Sequence, residues 1–261
     1  MATKGRWLAV FLLFLASAVS AQVTPEPELG DRLINLPTHL SLSADTLQVI
    51  FTHRFSQDVS DAGSGNLYGL DSAADIGIGL SMGFGHGLEA ELYRSSFLKE
   101  YEGALKWTLV RQGEVFPLGL ALRVGSDYRS ATGVTDRWSG FAQAVVAWRA
   151  ASWLDLFAVP TYSADTPTLR HAKNVGLGAS LHLPHAWDIS AEAIPANRDA
   201  KDSKTAWAVG FNKRIRGHAF LIYFGDSRAT TTDLMAGSDI PGGFKSGDVR
   251  LGFNLIRRFP E

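Results

Sequence analysis

The stretch "GLSMG" at Gly79–Gly83 matches G-x-S-x-G, a pattern that can carry a nucleophilic serine. That chemistry needs a sharp strand-to-helix turn to expose the hydroxyl to a base. Ser81 instead sits in a run of alternating apolar and small residues, and a second such run follows the "GHG" turn at Gly85–Gly87. The pattern therefore assigns no catalytic residue here. His182 and His185, in "HLPH", could offer two imidazoles to a metal, but Pro184 separates them and no third ligand is apparent. A pair of histidines at a turn is the expected outcome, with no metal site and no cofactor.

Charged residues at alternate positions offer a different chemistry. Asp75, Glu89, Glu91 and Glu102 come from three consecutive alternating runs and predict an acidic strip, joined further on by Glu192. Arg54, Lys106, Arg123, Arg149 and Arg250 supply positive charge on the same face. Opposed strips of this kind set up a transverse field that can orient a polar solute. The alternative use is a set of salt bridges that fills and stiffens the space.

The elements that must position these charges are strands. Period-two alternation recurs along the chain with little helical periodicity. Strands are predicted near 46–55, 72–84, 87–97, 101–112, 116–128, 138–149, 153–163, 173–183, 187–196, 204–213, 217–225 and 247–259. Each is about ten residues long, the length a tilted strand needs to cross a bilayer. Short connections such as "GHG", "GEV", "AAS" and "PHA" alternate with mostly longer polar ones such as 56–71 and 226–246. One face of each strand is oily: Ile76, Ile78, Leu80, Met82 and Phe84 alternate with Asp75, Gly77, Gly79, Ser81 and Gly83. Strand 217–225, "GHAFLIYFG", is apolar on both faces, and its register is left open.

Phe84, Phe116, Trp148, Trp153, Trp187 and Phe259 all fall within a few residues of the short connections. Rings gathered at one level read as an interfacial girdle. Alternation alone fits a soluble barrel with the oily face inward equally well. Strand length, charges of both signs on the other face and the girdle favour oil outward. The predicted fold is all-β: a single closed antiparallel transmembrane β-barrel of about 12 strands, with short periplasmic turns and longer extracellular loops. Closure follows because an unpaired backbone group in lipid costs several kcal/mol.

Composition agrees. The 261 residues carry a formal net charge of −1, which gives no reason to expect nucleic acid, and mean hydropathy is +0.01. The absence of cysteine excludes a disulfide scaffold, a thiol nucleophile and a cysteine-linked lipid anchor. Lys4, Arg6, the apolar run Leu8–Leu15 and "ASAVSA" at Ala16–Ala21 predict a cleaved signal peptide over 1–21. Residues 22–45 are expected to form a periplasmic lead-in or a plug, and 46–261 the barrel. Leu33–Asp45, "LINLPTHLSLSAD", decides whether the lumen is open. It could enter the barrel, lie on the rim or add strand.

The segment Leu33–Gln112 resembles a family of bacterial outer-membrane β-barrel proteins whose function is not established. The matching pieces are "HRF" at His53–Phe55, "NLYGLDSA" at Asn66–Ala73 and "RSSFLKEYEGALKW" at Arg94–Trp107. The resemblance implies a barrel fold and an envelope location, and supplies no catalytic residue, cofactor or substrate.

The expected location is thus the outer membrane of a Gram-negative cell, in contact with its lipid. The leading functional expectation is a narrow pore or binder for small polar solutes. One alternative is a non-conducting barrel that docks a periplasmic or envelope protein. Another is a lipid-active enzyme, for which outward-facing His53 is the candidate; no serine is placed beside it, and no enzyme is expected.

Overall fold

The computed structural model describes residues 30–113, 116–135, 137–197, 199, 203–237 and 248–260, and the expected signal peptide lies outside them. Within these residues alternation has become twelve strands. The first six are β1 (Leu47–Phe55), β2 (Ala74–Gly85), β3 (Leu88–Ser95), β4 (Glu100–Val110), β5 (Gly119–Arg129) and β6 (Trp138–Ala151). The others are β7 (Leu154–Ala164), β8 (His171–Leu183), β9 (Trp187–Ile194), β10 (Ala206–Ile215), β11 (His218–Gly225) and β12 (Arg250–Phe259). Each pairs antiparallel with its sequence neighbours, and β1 closes on β12 from Leu47↔Phe259 to Arg54↔Gly252. Closure leaves no strand edge, which is what hydrocarbon demands of a sheet.

Which face points where follows from the pleat. In β2 burial alternates strictly: Ile78, Leu80, Met82 and Phe84 are exposed, while Asp75, Gly77, Gly79, Ser81 and Gly83 are buried. The oily face therefore points away from the axis, toward lipid. The glycines leave room on the inside. A Cβ on Gly77 would lie 1.7 Å from the Tyr93 hydroxyl, which shares a 2.6 Å hydrogen bond with Thr52 Oγ1.

β5 begins three residues later than its apolar pattern predicts. Pro117 carries no N–H for a ladder, and Phe116 is held in the turn, where its carbonyl accepts from Gly113 N at 2.9 Å. β11 settles its own register. Phe220, Ile222 and Phe224 face lipid, while Leu221 and Tyr223 point inward and pack with Ala208 and Ile34.

Both described chain ends lie on the short-turn side. Phe84, Phe116, Trp153, Trp187 and Phe259 are exposed around that rim, and Trp148 is half-buried. A second aromatic level lies at the long-loop side, where Tyr101, Trp138 and Tyr162 are exposed and the Tyr128 ring lies tilted 4.7 Å from that of Trp138. The first long loop carries a short helix α1 (Val59–Ala62). The last carries α2 (Thr232–Gly237).

Candidate functional site

The lumen is filled from both ends. From the short-turn rim, residues 30–42 run inside the barrel. A tight reversal opens the segment, with Thr38 N donating to Asp31 O and Leu33 N to Leu36 O, both at 2.8 Å. At the tip, the Glu192 carboxylate of β9 accepts three consecutive backbone N–H groups: Ile34 at 3.3 Å, Asn35 at 2.9 Å and Leu36 at 3.0 Å. Arg54 donates to the side-chain oxygens of Asn35 (3.0 Å) and Asn254 (2.7 Å), and Asn254 Nδ2 donates to Ile34 O at 2.9 Å. Further along, Leu42 N donates to Glu89 at 2.7 Å, and Thr108 Oγ1 to His39 O at 2.7 Å.

The wall is shaped to receive this segment. Leu33, Leu36 and Leu40 pack on Ala121, Val145, Ala147, Phe157, Val159 and Ile194, which form an apolar stripe inside the lumen. Close approach needs missing side chains. A Cβ on Gly83 would meet Ser43 O at 2.1 Å, and one on Gly119 would meet His39 Cδ2 at 2.2 Å. Residues 31–42 are therefore a plug with a matching socket.

Beyond the plug the predicted lumen charges form a ladder of alternating sign. Glu89 pairs with Lys106 at 3.1 Å, Lys106 reaches Glu91 at 3.9 Å, Glu91 meets Arg123 at 2.8 Å, and Arg123 meets Glu102 at 2.5 Å. Arg32 of the plug joins at Glu91, 3.4 Å away. The expected opposed acidic and basic strips are thus replaced by interleaved partners. Register sets Glu89 directly across from Lys106, and Arg123, which lies across from Lys106, reaches diagonally to Glu91 and Glu102 instead. The other predicted charges lie elsewhere. Asp75 pairs with Arg228, Arg149 with Asp155 at 2.8 Å, and Arg250 with Asp248 at 2.8 Å. His182 bridges Asp155 and Asp188 at 2.8 Å each on the lumen side, so it is no rim partner of His185. His53 has Ile76 and Phe253 across from it and stacks on the Phe253 ring at 4.9 Å.

From the long-loop side, the segment after β11 turns inward. Thr232 N donates to Glu102 at 2.6 Å, and Arg123 Nη1 to Thr232 Oγ1 at 2.9 Å. Thr231 Oγ1 donates to Glu100 at 2.6 Å. Arg129 pairs with Asp233 and donates to Asp165 O at 2.8 Å, while Asn174 Nδ2 donates to Ala236 O at 3.0 Å. Between plug and loop, among the described residues, lies a cavity of about 30 Å³ beside Arg32, Asn35, Glu102, Arg123 and Gln143. A cavity of that size has room for about two water molecules.

Sequence reasoning missed Glu100, Asp127, Arg129 and Asp233. Asp127 and Arg129 share the parity of Arg123 in β5, so alternation carried a signal for both. Asp233 sits in a loop and carried none.

A closed sheet with lipid-facing apolar side chains, aromatic rims and a charged, occupied interior defines an outer-membrane β-barrel. The NanC porin superposes with a TM-score of 0.54 at 10% identity, covering 80% of this chain and 97% of that one. An outer membrane phospholipase (OMPLA) of Salmonella typhi superposes with a TM-score of 0.51 at 13% identity, covering 94% and 96%. At such identities the likeness is one of fold. No curated protein matches the chain. Residues 29–259 match the family described as membrane bound beta barrel domain (DUF5777), and the chain belongs to that family.

Proposed function

We propose that this chain is a plugged, non-conducting barrel in its resting form, which anchors an envelope partner at its periplasmic rim. The observation that carries this reading is the filled lumen: among the described residues the plug and the inward loop both occupy it, and the cavity of about 30 Å³ between them has room for about two waters. The apolar stripe under Leu33, Leu36 and Leu40 supports a resident plug, since an open polar pore gains nothing from it. At the rim, Arg214, Arg216, His218 and Arg258 line a cleft of about 40 Å³ beside the plug's entry, which suits an acidic partner. Transport of a small polar solute becomes the second reading if the plug leaves, because the wall behind it bears the charge ladder. No catalytic step is part of the proposal, since neither residue across from His53 is a nucleophile.

Planar-bilayer recording tests the closed state. The wild-type barrel is expected to be silent, and deletion of 31–42 to produce discrete conductance steps. Steps from the intact protein, abolished by no plug mutation, contradict the reading. In cells, a photo-crosslinker at exposed Arg216 is expected to capture a periplasmic protein; a crosslink to lipid alone removes the docking half.

A further inference from the structure

We propose that Glu100, Asp127 and Asp233 form a calcium site that latches the inward loop to the barrel wall. One carboxylate oxygen from each lies within 4.8 Å of the others, and all three side chains are buried. They come from the start of β4, the end of β5 and helix α2. One ion would therefore tie two strands to the loop that closes the long-loop side.

Acidic clusters are common, and two independent features point to a ligand here. Both oxygens of Asp127 lack a hydrogen-bond partner among the described residues, although the residue is 0% exposed. A buried ionised carboxylate in that condition is strongly disfavoured. Asp127 also lies directly across from Glu102 in the β4–β5 register, a like-charge pair that sheets avoid. Glu102 is matched by Arg123 and the Thr232 amide, whereas no base or amide among the described residues bonds the Asp127 oxygens.

Charge balance fits a divalent ion. Deprotonated around an ion, the three carboxylates would carry three negative charges, and Arg129, which pairs with Glu100 and Asp233, returns one. A doubly charged cation neutralises the remainder. The donors are all oxygen, with no imidazole or thiolate in the cluster, which selects a hard cation over zinc or copper. One oxygen from each carboxylate and the second oxygen of Asp127 would supply about four donors toward the six to eight that calcium takes. Thr231 Oγ1, 2.6 Å from a Glu100 oxygen, adds a neutral oxygen beside them. Magnesium keeps several of its waters, for which these wholly buried side chains leave little space.

The test uses the full-length barrel refolded in detergent, stripped with a chelator and titrated calorimetrically with calcium chloride. Wild type is expected to bind one calcium per chain, and calcium is expected to protect the 226–237 loop from protease. Asp127→Asn and Asp233→Asn are expected to bind at least tenfold more weakly, and Asp61→Asn to bind as wild type does. Heat-modifiable gel mobility confirms that each variant is folded. Absence of calcium uptake by folded wild type, equal uptake in both site variants, or tighter binding of magnesium than of calcium overturns the assignment.

Discussion

Glu192 shows how much one side chain can decide inside a barrel. Its carboxylate accepts three backbone N–H groups from the plug tip and a fourth bond from the Asn35 amide. Replacement by alanine leaves buried donors unmatched, at a cost of about 1–3 kcal/mol for each group that water cannot reach. Glu192→Ala is therefore expected to speed amide hydrogen exchange at Ile34, Asn35 and Leu36 by at least tenfold, with Glu192→Gln intermediate. Unchanged protection in Glu192→Ala would mean the apolar socket alone holds the plug. At this scale the sequence was partly readable. Parity placed Glu192 on the inner face, but nothing local announced that its partner would be backbone about 157 residues away.

Among the elements, the strands were legible and the insertions were not. Alternation identified β1 to β12 to within a few residues because a half-buried strand repeats its pattern every second position. Plug and loop have no such period, since each residue meets a different part of the wall. The first loop shows the same logic at its hinge. Asp58 caps α1 by accepting from Ser60 N at 2.8 Å and Asp61 N at 3.1 Å, and also accepts from Val249 N just before β12. The Ser60 hydroxyl foremost, with the Val249 amide, holds the Asp58 carboxyl down at about 2. A carboxyl depressed in the folded state contributes stability above its unfolded value, and that contribution is lost as pH falls through the folded one. Exchange protection at Ser60, Asp61 and Val249 is thus expected to hold at pH 5 and to fade between about pH 4 and pH 2. Asp58→Asn should remove that pH dependence. Fading at the same pH in Asp58→Asn would point to another group.

For the whole molecule, the charge ladder links the wall to both insertions. Arg123 contacts Glu91, Glu102, Gln143 and Thr232, so it joins β3, β4 and β6 to the inward loop. Removing one partner of a buried network leaves uncompensated charge and costs about 3–5 kcal/mol. Arg123→Leu is expected to lower the urea midpoint of the detergent-folded barrel, while the double change Arg123→Leu with Glu102→Leu recovers part of the loss. A single variant as stable as wild type would show that the ladder contributes nothing net.

The sequence by itself determined the cylinder: about twelve strands, an oily face that strand length and the girdle turn outward, the rim of rings and many of the inward charges. These are local properties, set by a two-residue period and by the lengths of connections. Only the tertiary structure decided what the cylinder contains. Which acid meets which base depends on register between strands far apart in sequence, and the occupants are aperiodic segments that acquire meaning only against the wall they touch. Strand β11 joins the two cases, for its inward Leu221 and Tyr223 make sense once Ile34 of the plug lies against them.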